Sequence, residues 1–112
     1  MSRPATLAPR ARVELVDAVR WIAQNDEAAA RRLRQAAGEA ARLIGARPLA
    51  GRMRPELAPP HYRFWSLTRF PYILVYDIQT RPPRIARVVH MSRDLGPLLA
   101  NVSGEADAGT PS

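Results

Sequence analysis

The sequence contains no cysteine and no lysine. Without thiols it can build neither a disulfide framework nor a thiolate metal site, which suits a reducing, cytoplasmic setting. Histidine is limited to His61 and His90, and no group of histidines and carboxylates stands at metal-ligand spacing, so no metal is expected. There is no glycine-rich phosphate loop and no nucleophile elbow, and no cofactor is expected. Long apolar runs are missing too. Nothing is long enough to cross a bilayer, and no hydrophobic segment follows Met1-Ser2-Arg3-Pro4 to act as a secretion signal.

What is present is arginine. All 17 basic residues are of this type, against 10 acidic ones, for a net charge of +7. A GC-rich genome would supply many of them, since alanine and proline are abundant as well. Whatever their origin, guanidinium groups stay charged and pair bidentately with phosphate or carboxylate. A surplus of this size attracts anionic partners, nucleic acid or an acidic protein. The length of 112 residues and the 46% apolar content fit one domain with one modest core.

The apolar pattern orders the elements. Arg3 to Ala8 reads as a short strand, and Pro9 suits the first turn of a helix, where its missing N–H costs nothing. Ala11, Leu15, Ala18, Val19 and Ile22 form one helical stripe. Asp26 is a predicted N-cap with Glu27 behind it, opening a second helix whose stripe is Ala30, Leu33, Ala37, Ala40, Ala41 and Ile44, ending at Gly45. The short link makes the two helices an antiparallel hairpin with an alanine-lined interface. Residues 46–61, broken by Gly51, Pro55, Pro59 and Pro60, read as a loop. Three runs rich in aromatic and β-branched residues follow: Tyr62–Leu67, Tyr72–Ile78 and Ile85–Met91. Their hairpin-length links predict an antiparallel meander. Leu95–Leu99 reads as a short helix, and residues 103–112 as a disordered tail to a single domain over 1–102.

The predicted class is α+β, in the order β-α-α-β-β-β, with the N-terminal helical hairpin packed on a small antiparallel sheet. Each layer has one apolar face, and stacking them buries both.

Four strings fall on these elements in order: Pro48 to Leu57 (PLAGRMRPEL), Tyr62-Arg63, Arg69 to Tyr76 (RFPYILVY), and Arg87 to Leu95 (RVVHMSRDL). Together with the helical hairpin before them, they make residues 5–100 resemble the ParE/RelE toxin superfamily, the ParE branch in particular. The resemblance implies a toxin of a type II toxin–antitoxin pair, neutralised by a tightly bound cognate antitoxin. ParE-like proteins act on DNA gyrase; RelE-like relatives cleave mRNA on the ribosome.

Arg52, Arg54, Arg63, Arg69, Arg87, His90 and Arg93 are the candidate residues for binding target or nucleic acid, gathered by the strands into one basic surface. The competing readings are structural. Arg52 or Arg54 could pair with Glu56 or Asp94, Arg87 could be buried against Asp77 or Glu39, and His90 could be a core histidine bonded to backbone. Most aromatics are expected in the core, with Trp65 or His61 exposed and Trp21 covering the end of the hairpin. For the antitoxin, an acidic segment ordering on binding, the candidate contacts are Leu15, Val19, Leu33, Ala37 and Ala41 on the hairpin, with a free sheet edge as a second possibility.

A nuclease needs a proton-transfer group and cations around the phosphorane. His90, Arg63 and Arg93 would be those parts. The RNase branch places an arginine after the tyrosine that opens the middle strand, however, and here Ile73 follows Tyr72. Its catalytic lysines have no counterpart in a chain without lysine. The sequence therefore favours the gyrase reading over an mRNA interferase, with a non-toxic nucleic-acid-binding relative as a further alternative.

Overall fold

A computed structural model describes residues 2–93 and 95–99. In it the chain runs β1 (Thr6–Leu7), α1 (Pro9–Ala23), α2 (Glu27–Ala46), β2 (Tyr62–Ser66), β3 (Tyr72–Asp77), β4 (Arg84–His90) and α3 (Leu95–Leu99). The tail expected at 103–112 lies outside the described residues.

Each boundary has a local cause. Pro9 opens α1 with its fixed φ. Between the helices, the Asp26 carboxylate accepts the Ala29 N–H at 2.9 Å, and Glu27 sits in the first turn against the positive end of the helix dipole. At the other end of α2, Gly45 permits a close crossing. A β-carbon there would collide with the Arg3 backbone carbonyl, on the segment leading into β1.

The sheet order is β1-β4-β3-β2. The predicted meander is present, with Phe64 opposite Val75 and Leu74 opposite Val88. The sheet is mixed rather than purely antiparallel, because β1 pairs parallel to β4, Thr6 with Arg84 and Leu7 with Ile85. With β3 lying between β2 and β4, the strand before the helical hairpin takes the free edge of β4.

Both faces of the sheet are covered. On the helix side Leu33, Ile44, Leu74, Tyr76, Ile85 and Val88 form the larger cluster. On the far side Tyr62, Phe64, Ile73, Val75 and Val89 are closed over by Ala58, Leu57 and Leu95. That is why β3 is buried almost from end to end instead of alternating. A bulge at Val75/Tyr76 leaves Ala86 without an opposite residue and shifts the parity of β4. Ile85 and Val88, three apart, therefore share the helix-side face.

Trp21 departs from expectation. It is 68% exposed on α1 and does not cover the end of the hairpin as a buried residue.

Candidate functional site

The seven candidate basic residues do not form one surface. Arg87 is the clearest departure. It is only 2% exposed, and its guanidinium is held by Glu14 of α1 rather than by Asp77 or Glu39. Arg87 Nη2 reaches Glu14 Oε2 at 2.8 Å, and Nε is 3.1 Å from both carboxylate oxygens. Glu14 Oε1 also accepts the Val88 N–H at 2.9 Å. The bidentate carboxylate thus seals the stretch of β4 beyond the end of β1, and Arg87 offers no charge to a ligand.

Arg52, Arg54 and Arg63 sit beside the outer edge of β2. Arg52 exchanges both backbone hydrogen bonds with Phe64, which ties the 47–61 loop to the strand. Arg54 donates to Glu56 at 2.7 Å and lies 5.9 Å from the Phe64 ring centroid, as the pairing reading expected. The Arg54 hydrogen bond holds the Glu56 carboxyl below its ordinary pKa. Arg63 is half-buried: its Nη1 donates to the Gly51 carbonyl at 3.3 Å, and its buried Nε has no partner. Beside it the buried Tyr76 hydroxyl donates to the Pro48 carbonyl at 2.7 Å and accepts the Gly51 N–H at 2.8 Å. Burial raises the Tyr76 pKa, opposed by the Gly51 hydrogen bond and the Arg63 charge. Gly51 is required for this contact, because a β-carbon would stand 2.7 Å from the tyrosine oxygen.

Arg69, His90 and Arg93 lie at the other end of the sheet. Arg69 is exposed in the β2–β3 turn at φ 76°. His90 packs edge-on against Tyr72, with centroids 5.1 Å apart. Its Nδ1 accepts the Ser92 N–H at 3.0 Å and lies 2.7 Å from the Ser92 hydroxyl. That network assigns the proton of the neutral ring to Nε2, leaving no free acceptor for a general base. Arg93 is exposed, its N–H donating to the His90 carbonyl.

The register separates the two groups. Arg63 pairs with Tyr76 and His90 with Tyr72, on opposite sides of β3. Four residues along the strand and two strand spacings across put their Cα atoms roughly 16 Å apart. Arg63 is held toward the Gly51 carbonyl and His90 toward Ser92, so the two side chains are committed at opposite ends of the sheet and do not converge on one point. Ile73, standing where the RNase branch has arginine, is buried in the far-side cluster.

The hairpin stripe expected to meet an antitoxin is largely occupied by the fold itself. Leu33 is fully buried, and Val19 and Ala37 are 9% and 8% exposed, while Leu15 and Ala41 are half-buried against the same core. Alanine at the interface lets α1 and α2 close on each other, which removes the groove that sequence reading placed there. The open groove is one flank over. It has a volume of about 780 Å³ and runs between α2 (Ala29, Ala36, Leu43) and the β2–β3 hairpin (Trp65, Leu67, Phe70), with Arg32 and Arg69 among its lining. The half-buried Trp65 belongs to it. A sequence signal existed: Ala29, Ala36 and Leu43 recur every seven residues, a second apolar flank beside the main stripe. Among the described residues there is no group of three or more His, Asp or Glu able to hold a metal, and no helix long and apolar enough to cross a membrane.

This architecture has known counterparts. Among solved structures, a chain of the chromosomal ParDE toxin–antitoxin system from P. aeruginosa superposes with a TM-score of 0.66 at 17% identity. The match covers 80% of this chain and 96% of that one, and shows the shared fold. No curated protein sequence matches. Residues 5–95 match the family described as the ParE toxin of the type II toxin–antitoxin system parDE, which spans the helical hairpin, the meander and all seven candidate basic residues. The chain belongs to the ParE toxin family of type II toxin–antitoxin systems.

Proposed function

We propose that this chain arrests growth by acting on DNA gyrase, and that a cognate antitoxin neutralises it by laying an acidic amphipathic helix in the groove between α2 and the β2–β3 hairpin. The observation that carries the target assignment is the separation of Arg63 from His90 across the sheet. With His90 Nδ1 already occupied and Ile73 at the phosphorane position, an mRNA interferase lacks a convergent set of groups. The groove supports the partner reading. Its apolar floor suits a helix face, and Arg69 and Arg32 at its sides, which outnumber the lining Glu39, suit carboxylates on the flanks of that helix.

Expression from a tightly repressed promoter, without the neighbouring gene, tests the target. Growth arrest with filamentation, intact mRNA and loss of supercoiling by purified gyrase is the expected result. Arrest with rapid loss of translated mRNA, abolished by His90→Ala, establishes the interferase instead. No arrest at confirmed soluble expression sinks the toxin reading and leaves a non-toxic family member. For the antitoxin, Ala36→Arg fills the groove and should abolish co-purification with the protein encoded beside it while the fold persists. Unchanged co-purification would place the partner elsewhere.

A further inference from the structure

The outer face of α2 carries three arginines, Arg31, Arg34 and Arg42, that line neither the core nor the antitoxin groove. Arg31, Arg34, Gln35, Gly38 and Arg42 fall within an arc of about 100° on the side away from the buried stripe. Arg31, Arg34 and Arg42 are exposed, and none of these three is in an ion pair among the described residues. Glu27 and Glu39 stand one helical turn from Arg31 and Arg42, the spacing at which a solvated helix face normally neutralises itself, yet these pairs do not form. The result is a stripe of three unpaired positive charges about 16 Å long.

Gly38 lies in the middle of that stripe. Inside a helix, glycine is the least favourable residue after proline. Packing does not demand it, because a β-carbon at Gly38 meets only Arg42 Nη1, at 3.7 Å. By contrast, Gly45 and Gly51 each have a backbone or buried side chain where a β-carbon would go. At Gly38 the helix surface is lowered, and the Arg42 guanidinium lies over the space a side chain would take. The shallow depression there has a volume of about 540 Å³ and is lined by the three arginines with Gln35 and Glu39.

We infer that this face of α2 is a seat for the sugar–phosphate backbone of duplex DNA. A duplex presents one charge per about 1.7 Å, so roughly ten phosphates lie alongside a 16 Å stripe and three arginines can each find a partner. The missing side chain at Gly38 lets the Arg42 guanidinium lie low on the helix, so that a phosphate reaching it comes close to the helix surface beside Arg34. The contacts go to phosphate and carry no sequence preference. The surface adjoins the antitoxin groove along Gln35 and Glu39 but draws on different cations, Arg31, Arg34 and Arg42 against Arg32 and Arg69, and it lies apart from Arg52, Arg54 and Arg63. It rests on no assumption about the target of the toxin, so gyrase activity and DNA binding can fail independently.

The test is fluorescence anisotropy of a labelled DNA duplex of about 20 base pairs with the purified full chain, between about 50 and 200 mM salt. The R31Q/R34Q/R42Q variant should bind at least about tenfold more weakly at the low-salt end. Its slope of log affinity against log salt should be shallower by about 2 to 3, the loss of three phosphate contacts. Circular dichroism establishes that it is folded. Arg3→Gln with Arg20→Gln removes charge elsewhere and should leave most of the affinity. Gly38→Leu should weaken binding while remaining helical, and Gly38→Ala should raise the Tm by roughly 4 °C or more, since nothing in the fold needs glycine there. Wild-type affinity in the folded triple variant overturns the proposal, as does equal weakening in the Arg3/Arg20 control. Wild-type affinity in Gly38→Leu overturns the close approach, and tighter, equally Arg31-dependent binding of an RNA duplex overturns the choice of DNA.

Discussion

Removing Glu14 should be among the most damaging single changes on the surface of α1, although it looks like an ordinary helix carboxylate in the sequence. Arg87 is 2% exposed and its guanidinium donates to both Glu14 oxygens, while Glu14 also accepts the Val88 N–H. Glu14→Ala strips the bidentate carboxylate from a buried guanidinium, which costs about 3–5 kcal/mol, and orphans a backbone donor as well. Against a total stability of about 5–15 kcal/mol, this should lower the Tm by more than about 12 °C. Arg87→Met is milder. The Glu14 side chain keeps 22% exposure, so water and the Val88 N–H still solvate it, and the loss should be about 1–2 kcal/mol. The double variant Glu14→Gln/Arg87→Met keeps an acceptor for Val88 and removes both charges. It should recover at least about 2 kcal/mol over Glu14→Ala. Urea unfolding followed by far-UV circular dichroism gives all three values. A buried pair is poorly screened, so the penalties should persist from about 0.1 to 1 M salt. A Glu14→Ala penalty below about 1.5 kcal/mol, or a double variant no better than Glu14→Ala, would refute the reasoning, since the larger cost arises only when a buried charge loses its carboxylate.

Gly45→Ala should destabilise by about 1–3 kcal/mol or more, read from the urea midpoint, because the new methyl meets the Arg3 backbone carbonyl and not a side chain that can move. Arg69→Gly should stabilise by roughly 1 kcal/mol in the same assay, by relieving a non-glycine residue at φ 76°. Burial raises the pKa of Tyr72, and that of Tyr76 against two weaker opposing contacts, so the folded chain holds these protons more tightly than the unfolded one. Their contribution to stability is therefore complete below about pH 10 and declines as pH rises through the folded values. Tyr76→Phe should lose about 1–3 kcal/mol at neutral pH with its bonds to Pro48 and Gly51, and should flatten the decline measured above about pH 10.

Local chemistry was enough to place the helices and the meander. Pro9 at the first turn, Asp26 as a cap, two apolar stripes of helical period and three β-rich runs are one-dimensional signals, each caused by neighbours within a few residues. The ordered motifs from Pro48 to Leu95 were likewise readable as a string, and they carry the family resemblance without reference to any contact between them. Even the Arg54–Glu56 pair was foreseeable, since its partners are two residues apart.

The tertiary structure alone decided where the charges go. Arg87 meets Glu14 across 73 positions, and a bulge at Val75/Tyr76 interrupts the alternation of β4 beside it, neither of which a pattern in the sequence announces. Arg63 and His90 belong to one list of cations in the sequence, yet strand register sets them at opposite ends of the sheet. The alanine stripe that seemed free for a partner is what α1 and α2 bury against each other, and the groove opens on a flank defined only once β2 has docked. Periodicity reports which residues share a face of one element. Which face meets a neighbour, and which is left for a partner, is fixed by the packing of elements far apart in the chain.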